Sequence, residues 1–166
     1  MAAALMRDRA GRSGSPVIAD SAGLVGQGRP VPDVVRAVMA ERGVDVSSHR
    51  SRLLRAELVA ASDLVVGMAR EHVRAAVAMH PAAFPRSFTL RELVRRSDSL
   101  GRRQAGVPWD DWVVAAHDGR TGAAYLRDEP ADDIDDPLGA PAKVFTALAD
   151  ELADLTARLL AVLAPV

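Results

Sequence analysis

Asp136 stands immediately before Pro137, at the end of a run that also holds Glu129, Asp132, Asp133 and Asp135. A carboxyl in such a run serves one of three ends: it donates a proton to a leaving group, helps to hold a divalent cation, or faces water as a loop acid. The spacing matches no ion-binding loop, and composition alone favours the solvated acid. Ser21 closes a short apolar run, with no histidine at a base-like spacing, so it reads as a structural hydroxyl rather than a nucleophile. His49, with Arg50 and Arg52, forms a cationic group suited to an anionic ligand, although a helix-entry turn in water has the same composition.

Other motifs carry less. Gly11-Arg12-Ser13-Gly14-Ser15 has the composition of a phosphate loop, but it follows a helix instead of opening one, so it is a turn. Trp109 and Trp112 share one helical face and are expected to pack. His72 and His80 straddle a helix and His117 is remote from both, so no metal site is expected. The chain has no cysteine, which excludes a thiolate nucleophile, a disulfide and a thiolate metal ligand within these residues. A net charge of −1 gives no basic field to draw nucleic acid or an anionic membrane. Met1 to Leu5 is too short an apolar start for a signal sequence, and Asp150, Glu151, Asp154 and Arg158 interrupt the apolar C-terminal stretch. The expectation is a cytoplasmic protein with no cofactor, no nucleic-acid partner and no membrane partner.

The elements that must position these residues alternate along the chain. Ala2 to Ala10 is alanine-rich and predicts a helix, and Val17-Ile18-Ala19 a short strand. Val34, Val35, Val38 and Met39 make a helical stripe over 33–42, with Gly43 at the C-cap position. A second amphipathic helix is predicted over 52–61, and Leu64 to Met68 is a strand of the buried type. A helix over 71–79 stopped by Pro81, a strand at Ser87 to Leu90 and a short helix over 91–96 follow. Residues 97–122 hold Gly101, Gly106, Pro108 and Gly119 around one helix, Trp109 to His117, and read as an excursion from the sheet. A long helix over 141–163 carries one apolar stripe through Phe145, Leu148, Leu152, Leu155 and Leu159. This alternation predicts an α/β fold, one domain over 1–166, with three layers and a parallel sheet flanked by helices.

Several segments, in order, resemble the low-molecular-weight protein tyrosine phosphatases. Met1-Ala2-Ala3-Ala4-Leu5 is similar to the start of that family's first helix. Asp20-Ser21-Ala22-Gly23 resembles the end of its second strand, and Gly28-Arg29-Pro30 with Pro32-Asp33 the entry to the next helix. The stretch from Gly43 to Arg52, with Val46-Ser47-Ser48-His49-Arg50, resembles its turn into a third helix, and Ala61 to Met68 its third strand. Asp135-Asp136-Pro137 resembles its Asp-Pro loop. Residues 97–122 match poorly.

The resemblance implies a phosphotyrosine phosphatase I-like fold and hydrolysis of phosphotyrosine proteins or small aryl phosphates through a cysteinyl-phosphate intermediate. It makes Asp136 the general acid, and Ser21 and His49 candidate binding residues. It also implies that this chain begins past the family's first strand and past its phosphate loop of cysteine, five residues and arginine. The expectation is therefore a sheet lacking its central first strand, self-association through exposed sheet edges, and no activity from these residues alone. A thiolate held at a helix N-terminus and a bidentate arginine are what such chemistry requires. The alternative is a non-catalytic α/β binding or regulatory module. An arsenate-reducing relative ranks lower, since that chemistry leans on additional cysteines.

Overall fold

The computed structural model describes residues 1–127 and 129–163, which fall into two compact units. The first comprises Met1–Leu53 and the segment from Asp136 through the final helix. The second comprises Leu54–Asp135.

The first unit is helical. Helix α1 (Ala2–Ser13) buries Ala4, Leu5, Met6 and Ala10 and runs past its expected end at Ala10. It stops at Gly14, whose φ of 67° is left-handed, while the Ser15 N–H returns to the Ala10 carbonyl at 3.0 Å. Gly11-Arg12-Ser13, expected as part of a turn, is thus the last turn of the helix, and Gly14 ends it. Helix α2 (Asp33–Ala40) is shorter than predicted. Gly43 (φ 71°) sits just beyond it, and the Val44 N–H bonds Met39's carbonyl at 3.0 Å. Helix α8 (Ala142–Leu163) packs against α1 and α2. Val38, Phe145 and Ala149 form a buried cluster there, flanked by Met1, Val34 and Val35. Arg42 caps α2 through the Val38 carbonyl at 2.8 Å and crosses to α8 at the Thr146 carbonyl and Asp150.

Two sequence expectations are corrected in this unit. Val17-Ile18-Ala19, with Ile18 92% exposed, belongs to no strand ladder among the described residues. Its polar contacts are local or come from a side chain: Ser15 Oγ accepts from Val17 N–H, and Arg7 Nη1 reaches the Ala19 carbonyl. An apolar run becomes a strand only when a neighbour takes up its backbone groups. The helix expected from Arg52 starts later, because Leu53 pairs with Gly23 in a parallel bridge and Gly23 N–H donates to the Arg52 carbonyl at 2.9 Å.

The second unit is α/β, as expected, with a small parallel sheet flanked by helices. Strands β1 (Val65–Gly67) and β2 (Ser87–Thr89) pair in parallel, with Val66 opposite Phe88. Helix α3 (Ala56–Ala60) precedes β1. Helix α4 (Arg70–Met79) crosses from β1 and packs on both strands, and a 3-10 helix, Pro81–Arg86, leads into β2. Gly67 is required by that crossing: a Cβ there would lie 3.0 Å from the Ala69 carbonyl, His72 Cβ and Val73 Cγ2. Helix α5 (Leu90–Leu100) is capped by Thr89, whose Oγ1 accepts from Glu92 N–H at 3.2 Å. It exceeds the short helix expected, since Ser97 is buried and returns its hydroxyl to the Leu93 carbonyl. Helix α6 (Trp109–His117) matches the expected span, and α7 (Gly122–Tyr125) is a further short helix capped by Thr121.

Candidate active site

The first unit gathers cationic side chains where α1 and the Ala19–Gly23 segment meet. Arg7, on α1, donates to the Ala19 carbonyl at 2.9 Å and lies 3.8 Å from Asp20. Arg52 donates through Nε to the Ser21 carbonyl at 2.8 Å, and its Nη2 is 3.2 Å from Asp20 Oδ2. The fork of Arg52 therefore fixes this segment by its backbone and its carboxylate at once. The next loop is laced by Ser51, which accepts from Gly28 N–H through its carbonyl at 2.7 Å and from Arg29 N–H through Oγ at 3.1 Å.

Ser21 is half-buried, with its carbonyl in use by Arg52. His49 is half-buried too. Its pKa lies below the ordinary histidine value, first through burial and then through the positive charges of the chain's amino terminus, Arg7, Arg50 and Arg52. Ser21 and His49 thus share the neighbourhood of Arg7 and Arg52. Several cations gathered around one imidazole mark a place where an anion is favourable. Arg7 was not singled out from the sequence. It lies within a charged triplet on a helix, which reads as a solvated face.

Asp136 is exposed, and its Oδ1 accepts from Leu138 N–H at 3.0 Å in the turn around Pro137. The side chain thus stays near water, as a proton donor or a loop acid requires.

Of the acids ahead of it, Glu129 and Asp135 are exposed as their composition suggested, but Asp132 and Asp133 are not. In the second unit Asp132 is fully buried between Arg70 Nη2 at 2.9 Å and Arg95 Nη1 at 2.6 Å. Burial acts to raise its pKa, but the hydrogen bonds from Arg95 and Arg70 and their charges outweigh it and hold the carboxyl below its usual range. Asp133 Oδ1 accepts the Arg70 N–H at 2.7 Å, at the start of α4, and its carbonyl takes Arg91. The Ile134 N–H bonds Met68's carbonyl at 2.8 Å. Three arginines and the end of β1 therefore hold Asp132 to Ile134.

The family model for low molecular weight phosphotyrosine protein phosphatase matches residues 1–105. The chain belongs to that family. A probable low molecular weight protein-tyrosine-phosphatase, EpsP, of Ralstonia solanacearum is 31% identical over 126 residues, spanning 68% of this chain and 83% of its own. The crystal structure of a low molecular weight protein tyrosine phosphatase from T. tengcongensis is 27% identical, covering 95% of this chain and 86% of its own at a TM-score of 0.70. The YwlE arginine phosphatase from Geobacillus stearothermophilus is also 27% identical, covering 96% and 80% at a TM-score of 0.67. The family match ends at residue 105, before Asp136. It takes in Arg7, Ser21, His49 and Arg52.

Proposed function

We propose that these 166 residues are the greater part of a low-molecular-weight phosphatase domain, 1–166, that hydrolyses phosphotyrosine or aryl phosphate esters only when an N-terminal strand and phosphate loop complete it. The observation that carries this is a family match joined to a chain with no cysteine. The family's chemistry passes through a thiolate, so the residues here supply the surroundings of the reaction and not its nucleophile. Asp136 protonates the leaving phenolate. The cationic group around His49, with Ser21 beside it, draws the phosphate ester toward α1. Loss of nucleophile, anion cradle and arginine together removes binding and chemistry as a unit.

The completed protein works in the cytoplasm, with no cofactor and without nucleic acid or membrane. No helix among the described residues is long and apolar enough to cross a membrane. Without its completing strand the chain self-associates through exposed sheet edges, since an unpaired strand edge is a template for pairing.

Aryl phosphate turnover separates this reading from that of a non-catalytic binding module. The chain alone gives no turnover above buffer. A chain extended by an apolar strand and a loop of cysteine, five residues, arginine and Ser-Pro turns the ester over, and Cys→Ser abolishes it. A well-folded extended chain that stays inert counts for the binding module.

A further inference from the structure

His117 takes no part in the chemistry above, yet it faces a buried cation. Arg120 closes the turn after α6, and its side chain is only 1% exposed. A guanidinium has five N–H donors and no acceptor. Four are committed: Nε to Glu92 Oε1 at 2.9 Å, Nη2 to the Ser87 carbonyl at 2.5 Å and Glu92 Oε2 at 3.5 Å, and Nη1 to the Phe84 carbonyl at 3.2 Å. The fifth points at His117 Nδ1, 3.1 Å away. The guanidinium also lies over the rings of Phe84, Phe88 and Tyr125, 4.0–4.9 Å from their centroids. His117 meets the Phe84 ring edge-on at 5.2 Å.

Because Arg120 can only donate, His117 Nδ1 must accept. The ring is then neutral, with its proton on Nε2. Protonation would set N–H against N–H at 3.1 Å and place a second cation beside the first. The charges facing the ring are Arg120 and Asp118 from the turn, and Arg96 and Glu92 from α5. Glu92 already receives Arg96 at 3.2 Å, both arms of Arg120 and the Tyr125 hydroxyl at 2.9 Å, so it has little left for a further cation.

We infer that His117 is a proton-operated latch: neutral, it ties the end of α6 to Arg120 and Phe84, and protonated, it leaves them and loosens α6 and the turn through Arg120. Burial, then Arg120 and Arg96, hold its pKa below the ordinary value of 6.5 against the pull of Glu92 and Asp118, so the latch stays closed at neutral pH and opens under mild acid. Residues 97–122, which matched the family poorly in sequence, are thereby given a contact that responds to pH.

The chain's two tryptophans, Trp109 and Trp112, both lie on α6, so their fluorescence reports on it directly. Between pH 8 and 5 the full chain should show a reversible one-proton transition with its midpoint below 6.5. His117→Asn keeps an oxygen acceptor near the Nδ1 position and cannot titrate, so it should abolish the transition. The absence of a transition, or its persistence in His117→Asn with His49, His72 and His80 unchanged, would overturn the latch. If His117→Asn does not fold by circular dichroism, NMR of the unsubstituted chain decides. A His117 ring titrating below 6.5, with amide exchange at Asp118 and Arg120 rising across the same range, supports the latch. A midpoint at or above 6.5, or exchange that does not move with it, overturns it.

Discussion

Arg52 holds Ser21 by its backbone: the guanidinium Nε donates to the Ser21 carbonyl at 2.8 Å while Nη2 sits 3.2 Å from Asp20. A residue from one loop thus determines the course of another, and the same charge bears on His49. Arg52→Lys should retain most of that field but lose the fork, because an ammonium cannot serve a carbonyl and a carboxylate in one plane. Arg52→Ala should lose both. The alanine variant should be less stable by about 1–2 kcal/mol, a charge-assisted hydrogen bond discounted for the partial exposure of the pair. His49 should titrate closer to the ordinary histidine value, since one of the cations that lowers its pKa is gone. Urea melts and an NMR titration of His49 test the two effects separately. An unmoved His49 in Arg52→Ala would show that burial and the remaining cations set it without Arg52.

Asp132 should govern the acid stability of the second unit. Its folded pKa is depressed by Arg95 and Arg70, so its contribution is fully present above the unfolded value of 3.8 and is lost as pH falls through the folded one. Asp132→Ala leaves Arg70 without its carboxylate at a largely buried guanidinium and should cost about 3–5 kcal/mol at pH 7. Asp132→Asn keeps the shape, removes the charge and should flatten the fall in stability below pH 3.8. Urea unfolding at a series of acid pH values tests this, and parallel pH profiles for Asn and Asp would count against it.

Gly67→Ala should destabilise the β1–α4 crossing. Its methyl would meet a backbone carbonyl, a Cβ and a Val73 methyl, all at 3.0 Å. Overpacking of this kind costs about 1–3 kcal/mol. A thermal melt is sufficient, and an unchanged midpoint would mean that the crossing relaxes freely.

These residues also show how far the sequence could be read. Helix α6 was legible to the residue, because Pro108 opens it and its apolar positions recur at helical spacing. Gly43 was legible for a like reason: a helix end needs a left-handed residue, and that need is local. The small parallel sheet followed from two apolar runs separated by a helix. What escaped was non-local. Val17–Ala19 has the composition of a strand, and its side chains alternate between half-buried and exposed, yet a strand exists only with its partner. Asp132 and Arg120 carry charge, and charge in a linear reading is assigned to water. Their burial depends on Arg70, Arg95 and Glu92, which lie far away in the chain. The candidate site divided the same way. Asp136 was assigned its role through the family resemblance and His49 stood out by its neighbours Arg50 and Arg52, while Arg7 needed the fold to bring it to Ala19.

The last prediction concerns Asp136 in the extended chain. A phenolate is a poor leaving group until it is protonated, and a carboxylic acid that delivers its proton as the phosphorus–oxygen bond breaks lowers that barrier. Asp136 is exposed and its known contact is one backbone N–H within its own turn, so Asp136→Asn should keep that turn and alter neither fold nor stability. Turnover of an ordinary aryl phosphate should then fall by roughly 10²–10⁴-fold, the usual worth of a positioned general acid. The loss should grow with the pKa of the leaving phenol. A nitrophenolate leaves with little help, while an alkyl-substituted phenolate needs the proton. The measurement is kcat over a series of phenyl phosphates for the extended chain and its Asp136→Asn form. A uniform loss across the series would mean that Asp136 acts on binding or on loop position instead of on the leaving oxygen. No loss at all would return it to the role that composition alone assigned, a loop acid facing water.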